Sequence, residues 1–157
     1  MKFILIIIVI AVAVLYFNRT AANKKLAIEN KAAAKEFLGV NKTVVGVQET
    51  PSGLQYEVLN KGDGKINPTA RSKVKVHYHG TLLDGTVFDS SVERDSPISF
   101  GLNQVIAGWT EGVQLMVVGD KFKFFIPANL GYGDKSTGKI TAGSLLIFEV
   151  ELLEIQS

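Results

Sequence analysis

Beyond residue 43, only one stretch of this chain has helical spacing, and everything else must fold around it. In Gln104–Met116, Val105, Trp109, Val113 and Met116 recur every three or four residues, the spacing of one helix face. The flanking segments read as strands. "RSKVKVHYHG" sets Val74, Val76 and Tyr78 on one face and Lys73, Lys75, His77 and His79 on the other. "DKFKFFIP" alternates Phe122, Phe124 and Ile126, and "SLLIFEVELLEI" alternates Leu146, Phe148, Val150 and Leu152. "VVGVQET", "GLQYEVL" and "SPISFGL" are further extended pieces, and Asp84–Gly85 is a hairpin signal. A twisted antiparallel sheet has to cover its apolar face, and this helix is the only cover available. The predicted class is therefore α+β: a twisted antiparallel half-barrel of five to six strands wrapped on one short helix.

Residues 1–42 have a different composition. "MKFILIIIVIAVAVLYF" carries one early lysine, then an unbroken apolar run from Phe3 to Phe17. As a helix those residues would reach roughly 22 Å, less than the hydrocarbon thickness of about 30 Å. Lys2 and Arg19 can snorkel and Tyr16 can sit at the interface, so the run suits a short membrane anchor. An uncleaved anchor is favoured over a cleaved signal, whose cleavage site at Thr20–Ala22 is weak. Residues 18–42 are rich in Ala, Lys and Glu, with a thin stripe of Leu26, Ile28, Phe37 and Leu38, and Gly39 is a stop signal. This predicts a solvated spacer helix, with a dimerising helix as the second reading. The expected division is 1–18 apolar segment, 19–42 basic helical spacer and 43–157 folded domain.

The net charge of +2 misleads, because residues 18–42 carry net +4 and leave residues 43–157 at about −3. Such a domain is a poor binder of nucleic acid, which needs clustered Lys and Arg. Basic residues beside the apolar run suit anionic lipid instead. Arg19, Lys24 and Lys25 follow the run, and only Lys2 and the amino terminus precede it, so charge alone does not favour export of the domain. The chain has no cysteine, which excludes disulfides, thiol catalysis and Cys-ligated zinc. His77 and His79 form an HxH pair without further ligands at a plausible spacing, so they read as a strand face and no metal is expected. No GxSxG or HExxH motif supports nucleophilic or zinc hydrolysis.

What remains is an aromatic set: Tyr78, Phe88, Phe100, Trp109, Tyr132 and Phe148, each from a different segment. Core is the default for any one of them. As a set, with polar tips on Trp and Tyr and with Asp89 next to Phe88, they suit an apolar cup with a polar rim.

"VHYHGTLLDGTVFDSS", "ISFGLNQVIAGWTEGVQLMVVGDKFKFFIPANLGYG" and "LLIFEVELL" together resemble the FKBP-type peptidyl-prolyl cis–trans isomerases, over Gly53 to Ile155. The upstream "FLGVNKTVVGVQETPSGLQYEVLNKGDG" is similar to the Mip/FkpA-like bacterial branch, where a helical dimerisation region precedes the isomerase domain, often in the cell envelope. The resemblance implies a catalytic pocket of Tyr78, Phe88, Asp89, Trp109 and Tyr132, with Trp109 as the floor that receives the proline ring. It implies substrate contacts from Arg94, Ile98, Phe100, Val105, Ile106, Ile140 and Phe148. The family often has "IPP" where this chain has Ile140–Thr141–Ala142, so the rim lacks stiffening prolines, with consequences for sequence preference and macrolide affinity. No cofactor is implied. The implied partners are proline-containing unfolded or partly folded polypeptides, macrolide immunosuppressants, the membrane through the N-terminal segment, and a second copy in a homodimer. The implied location is the bacterial inner membrane, single-pass, with the domain on the periplasmic side, or a soluble periplasmic form after cleavage. A non-catalytic peptide-binding or chaperone module on the same fold is the alternative.

Overall fold

The alternating segments pair into one antiparallel sheet. In the computed structural model, which describes residues 2–156, the strands are β1 (Val47–Glu49), β2 (Gln55–Asn60), β3 (Lys73–Leu82), β4 (Val87–Ser90), β5 (Ile98–Gly101), β6 (Lys121–Ile126) and β7 (Leu146–Gln156). Their order is β1-β2-β6-β7-β3-β4, and β5 also pairs with β3. β4 and β5 share one edge of β3: Ser90 faces His79, and Phe100 faces Val74. The sheet has seven strands. It exceeds five to six because the short β1 pairs with β2, and β5 pairs separately from β4.

Alternation sets the core. Val74, Val76 and Tyr78 of β3 point inward with Phe122, Phe124 and Ile126 of β6 and Phe148, Val150 and Leu152 of β7. Helix α2 (Ala107–Val113) lies against this face through Trp109 and Val113, and Met116 follows fully buried. Each such aliphatic side chain taken from water contributes about 1.5–3 kcal/mol.

The helical spacing over Gln104–Met116 folds as three pieces. Leu102–Gln104 is a 3₁₀ turn, Val105 and Ile106 are extended, and α2 starts at Ala107. Thr110 Oγ1 donates to the Leu102 carbonyl at 2.5 Å, and the Trp109 N–H donates to the Ile106 carbonyl at 3.0 Å. These bonds stop the helix short of the two β-branched residues, which favour extended backbone.

The apolar run and the spacer form one continuous helix, α1 (Lys2–Asn41). It passes through Gly39 because its end is tied to the sheet. Asn41 Nδ2 donates to Gln55 Oε1 at 2.8 Å, and Gln55 Nε2 donates to the Leu38 carbonyl at 2.9 Å. The spacer is not free in solvent. Its docking face is Asn23, Ala27, Asn30, Ala34, Phe37 and Asn41, spaced by four and three residues in turn. Ala27 and Ala34 are buried, whereas Leu26 and Ile28 of the expected stripe are exposed. Phe37 meets Phe125 with ring centres 5.8 Å apart. Small residues allow close approach: Gly143 lies against the Ala27 backbone, where a Cβ would stand 2.5 Å from the Ala27 carbonyl. Beyond this docked region, every large apolar side chain from Ile6 to Phe17 is exposed. By length and composition α1 is able to cross a membrane.

Candidate functional site: an aromatic cup

The sheet, α2 and the loop before β7 bring aromatic rings from distant parts of the chain to one place. Trp109 enters from α2, Tyr78 from β3, Phe88 from β4, Phe100 from β5 and Phe148 from β7. Trp109 lies 5.3 Å from Tyr78, 5.2 Å from Phe100 and 5.1 Å from Phe148, centre to centre. Tyr78 and Phe148 stand edge-to-face to the indole, a favoured arrangement for ring quadrupoles. Phe88 meets Phe148 edge-to-face at 5.2 Å. Gly80 between them makes this possible, since a Cβ there would stand 2.7 Å from Phe88 Cζ and 2.8 Å from Phe148 Cε1. The indole N–H is the one buried side-chain polar atom without a hydrogen-bond partner among the described residues.

These rings enclose a cavity of about 610 Å³, within the range of small-molecule sites. Tyr78, Phe88, Asp89, Ile98, Phe100, Val105, Ile106, Trp109, Tyr132, Ile140 and Phe148 all line it. Arg94 does not line it and acts one step back, on Asp89 and Tyr78. The extended backbone at Val105–Ile106 presents both residues to the cavity, and among the described residues no backbone carbonyl outside the helices and strands accepts from the Ile106 N–H.

The polar side of the rim is a three-member network. The Tyr78 hydroxyl donates to Asp89 Oδ2 at 2.5 Å, Arg94 Nη1 donates to Asp89 Oδ1, and Arg94 Nη2 donates to the Tyr78 oxygen at 3.2 Å. The turn after β4 aims Arg94 back at the strand. Its Asp95 takes φ of 47°, and the Ser96 N–H closes on the Ser91 carbonyl at 3.0 Å. Burial, then the hydrogen bond to Asp89, pushes the Tyr78 hydroxyl above its ordinary pKa. Burial alone would raise the Asp89 carboxyl. The bonds from Tyr78 and Arg94, with the guanidinium charge, outweigh it and hold the carboxyl below its ordinary value. At neutral pH the network is thus phenol, carboxylate and guanidinium.

The cavity has four lining residues that the sequence pattern does not single out: Gln104, Thr137, Gly138 and Lys139. Gln104 lies at the end of the 3₁₀ turn Leu102–Gln104 and reaches the cavity rim from there. Thr137 and Ile140 bridge to each other, with N–H to carbonyl bonds of 2.8 and 2.9 Å, and shape the rim. The departure from "IPP" at 140–142 marks this loop but not these residues. His77 and His79 face away from the cup. Their Nδ1 atoms are hydrogen-bonded to Ser91 Oγ at 2.7 Å and Ser90 Oγ at 2.9 Å.

Cup and sheet together define an aromatic pocket on an α+β half-barrel, and comparison with known proteins gives the family. Residues 64–153 match the model of the FKBP-type peptidyl-prolyl cis-trans isomerase, and residues 10–58 match the domain amino terminal to it. The chain belongs to the FKBP-type peptidyl-prolyl isomerase family, in its Mip/FkpA-like bacterial branch. It is 56% identical over 132 residues to the FKBP-type isomerase FkpA of Aeromonas hydrophila, covering 84% of this chain and 49% of the relative. It is 44% identical over 140 residues to the outer membrane protein MIP of Legionella longbeachae, covering 88% and 60%. The crystal structure of FkpA from Escherichia coli superposes with a TM-score of 0.83 at 38% identity, over 94% of this chain and 71% of that one. The chain spans 49–60% of the length of these two curated relatives.

Proposed function

We propose that the chain is a peptidyl-prolyl cis–trans isomerase acting on unfolded or partly folded polypeptides of the bacterial envelope. The observation that carries this reading is the cup itself: Trp109 as floor, with Tyr78, Phe88, Phe100 and Phe148 as walls of one cavity. Rotation about an X–Pro bond faces a barrier of about 18–20 kcal/mol. No covalent bond has to form or break. Twisting the amide removes its resonance and makes it less polar than the planar form, so a dry aromatic cup favours the twisted state over the planar one. The proline ring sits on Trp109, and the Ile106 N–H or the Tyr132 hydroxyl holds a substrate carbonyl. Tyr78, Asp89 and Arg94 shape the polar rim, and none of them serves as an acid or base. The same cup is the site for macrolide immunosuppressants.

The N-terminal run serves as an uncleaved inner-membrane anchor, with the domain on the periplasmic side. The exposed apolar surface from Ile6 to Phe17 supports this, since none of the described residues covers it. The test of the activity is isomerisation of a short X–Pro peptide by the full chain in detergent. Acceleration that a macrolide inhibits is the expected result. No acceleration over the uncatalysed rate, with retained binding of unfolded protein, would replace the enzyme by a peptide-binding module.

A further inference from the structure

The contacts along α1 run in a strict order toward the apolar segment. Asn41 meets Gln55, Phe37 meets Phe125, Lys31 pairs with Asp134, Asn30 donates to the Ala142 carbonyl, Ala27 meets Gly143, and Ser136 Oγ donates to Asn23. The part of the domain docked nearest the apolar run is therefore the loop from Asp134 to Gly143. Thr137–Ile140 of that loop also form one wall of the cup.

The distance from this loop to a bilayer follows from helix geometry. Phe17 is the last residue of the apolar run, and α1 is continuous from there to Asn23. Six residues of helix advance about 9 Å. The polar layer on each side of the hydrocarbon is about 5–7 Å thick. Ser136 then stands at the outer edge of the headgroup layer. The short apolar run draws its flanks closer still, because a span shorter than the hydrocarbon thins the bilayer or pulls flanking residues in.

Charge on this surface is one-sided. Lys135 and Lys139 are exposed and in no ion pair among the described residues, as are Arg19 and Lys24 on the adjoining helix. The nearby acids are matched: Asp134 pairs with Lys31, and Glu29 lies 3.9 Å from Lys25.

We propose that the loop Asp134–Gly143 is a docking surface for anionic lipid headgroups, contacted through Lys135 and Lys139, which holds the mouth of the cup at the bilayer surface. This rests on the reading of residues 3–17 as a retained anchor. The pocket then serves prolines in polypeptide segments lying at the membrane, and the rim that selects substrate is also the rim that touches lipid.

The chain has no cysteine, so a single introduced thiol reports one position. The full chain carrying Thr137→Cys or Val45→Cys would be labelled with a fluorophore. Val45 is 95% exposed and lies just beyond the far end of α1. Each variant would be reconstituted in vesicles of phosphatidylcholine alone, or mixed equally with phosphatidylglycerol, containing headgroup spin-labelled lipid. Quenching at position 137 several-fold above that at 45, strongest with phosphatidylglycerol, is expected. Lys135→Gln with Lys139→Gln should weaken the phosphatidylglycerol-dependent part, by about five-fold per charge at most. Weak, equal quenching at both positions in chains that float with the vesicles overturns the docking alone. Quenching at 137 that ignores both lipid charge and the two lysines overturns it as well. Chains that do not float overturn the anchor, and the docking with it.

Discussion

Gly108 and Ile126 touch across the interface between helix and sheet: a Cβ at Gly108 would stand 2.6 Å from Ile126 Cγ2. The residue beside the indole is therefore glycine for reasons of space, and the depth at which Trp109 sits depends on that contact. Gly108→Val should destabilise the fold by about 1–3 kcal/mol through overpacking, read as a lower urea midpoint at unchanged slope. It should also lower isomerase activity in the surviving folded fraction, since α2 is pushed off β6. A variant with unaltered stability and rate would remove the contact from this account.

Phe88 is half-buried and reaches the cup from an edge strand, so its removal should spare the fold. Phe88→Ala loses its edge-to-face pairing with Phe148, worth about 0.5–1.5 kcal/mol beyond burial. Because it also opens the wall around the reacting amide, kcat/KM should fall about ten-fold or more, equivalent to about 1.4 kcal/mol or more in the barrier. Trp109→Phe keeps apolar volume in the floor, and should lower the rate while preserving the fold by circular dichroism. Full activity in either folded variant would refute the assignment of the cup.

Asp89 makes the pH dependence specific. The bonds from Tyr78 and Arg94 hold its carboxyl below its ordinary value in the folded chain, so its contribution to stability is fully present above the unfolded pKa and lost as pH falls through the lowered folded pKa. Activity should be flat between about pH 6 and 8, because no group in the rotation changes protonation there. Asp89→Asn should remove its share of the acid-induced loss of stability and lower activity modestly across that plateau. A bell-shaped profile near neutrality would bring acid–base chemistry back into the mechanism.

The amide clip between Asn41 and Gln55 closes the end of α1 on the sheet, and Gln55 is fully buried. Asn41→Ala leaves Gln55 Oε1 without its donor, an omission costing about 1–3 kcal/mol. Thermal unfolding should start earlier, with α1 amides exchanging faster than those of β3 and β7. Unchanged exchange along α1 would show that Phe37 and the alanine face hold it alone.

The sheet could be read from the sequence because its strands alternate cleanly. Val74, Val76 and Tyr78 against Lys73, Lys75, His77 and His79 leave one solution for which face is buried, and β6 and β7 repeat the pattern. The aromatic set stood out for a different reason: six rings from six segments, with polar tips on Trp109, Tyr78 and Tyr132 and with Asp89 beside Phe88, suit an apolar cup with a polar rim. Gln104 and Thr137–Lys139 did not stand out, because their roles depend on backbone path and not on residue type. Val105 and Ile106 have helical spacing from Trp109 yet fold as extended chain, since the side-chain bond from Thr110 to Leu102 fixes a turn that periodicity does not encode. The docking face of α1 was hidden for the opposite reason. Apart from Phe37, it is made of Asn and Ala, which carry almost no apolar signal, while the visible Leu26 and Ile28 point to solvent.

Because α1 has no break between Phe17 and its docking face, it works as a crank rather than a tether. In an α-helix each residue advances the chain about 1.5 Å and turns it about 100°. One residue inserted between Phe17 and Asn23 would therefore move the cup hardly at all in height but swing it by more than a quarter turn about the helix axis. With residues 3–17 held in a bilayer as proposed, the azimuth of the pocket relative to anything else fixed there would be set by the number of residues in that short stretch.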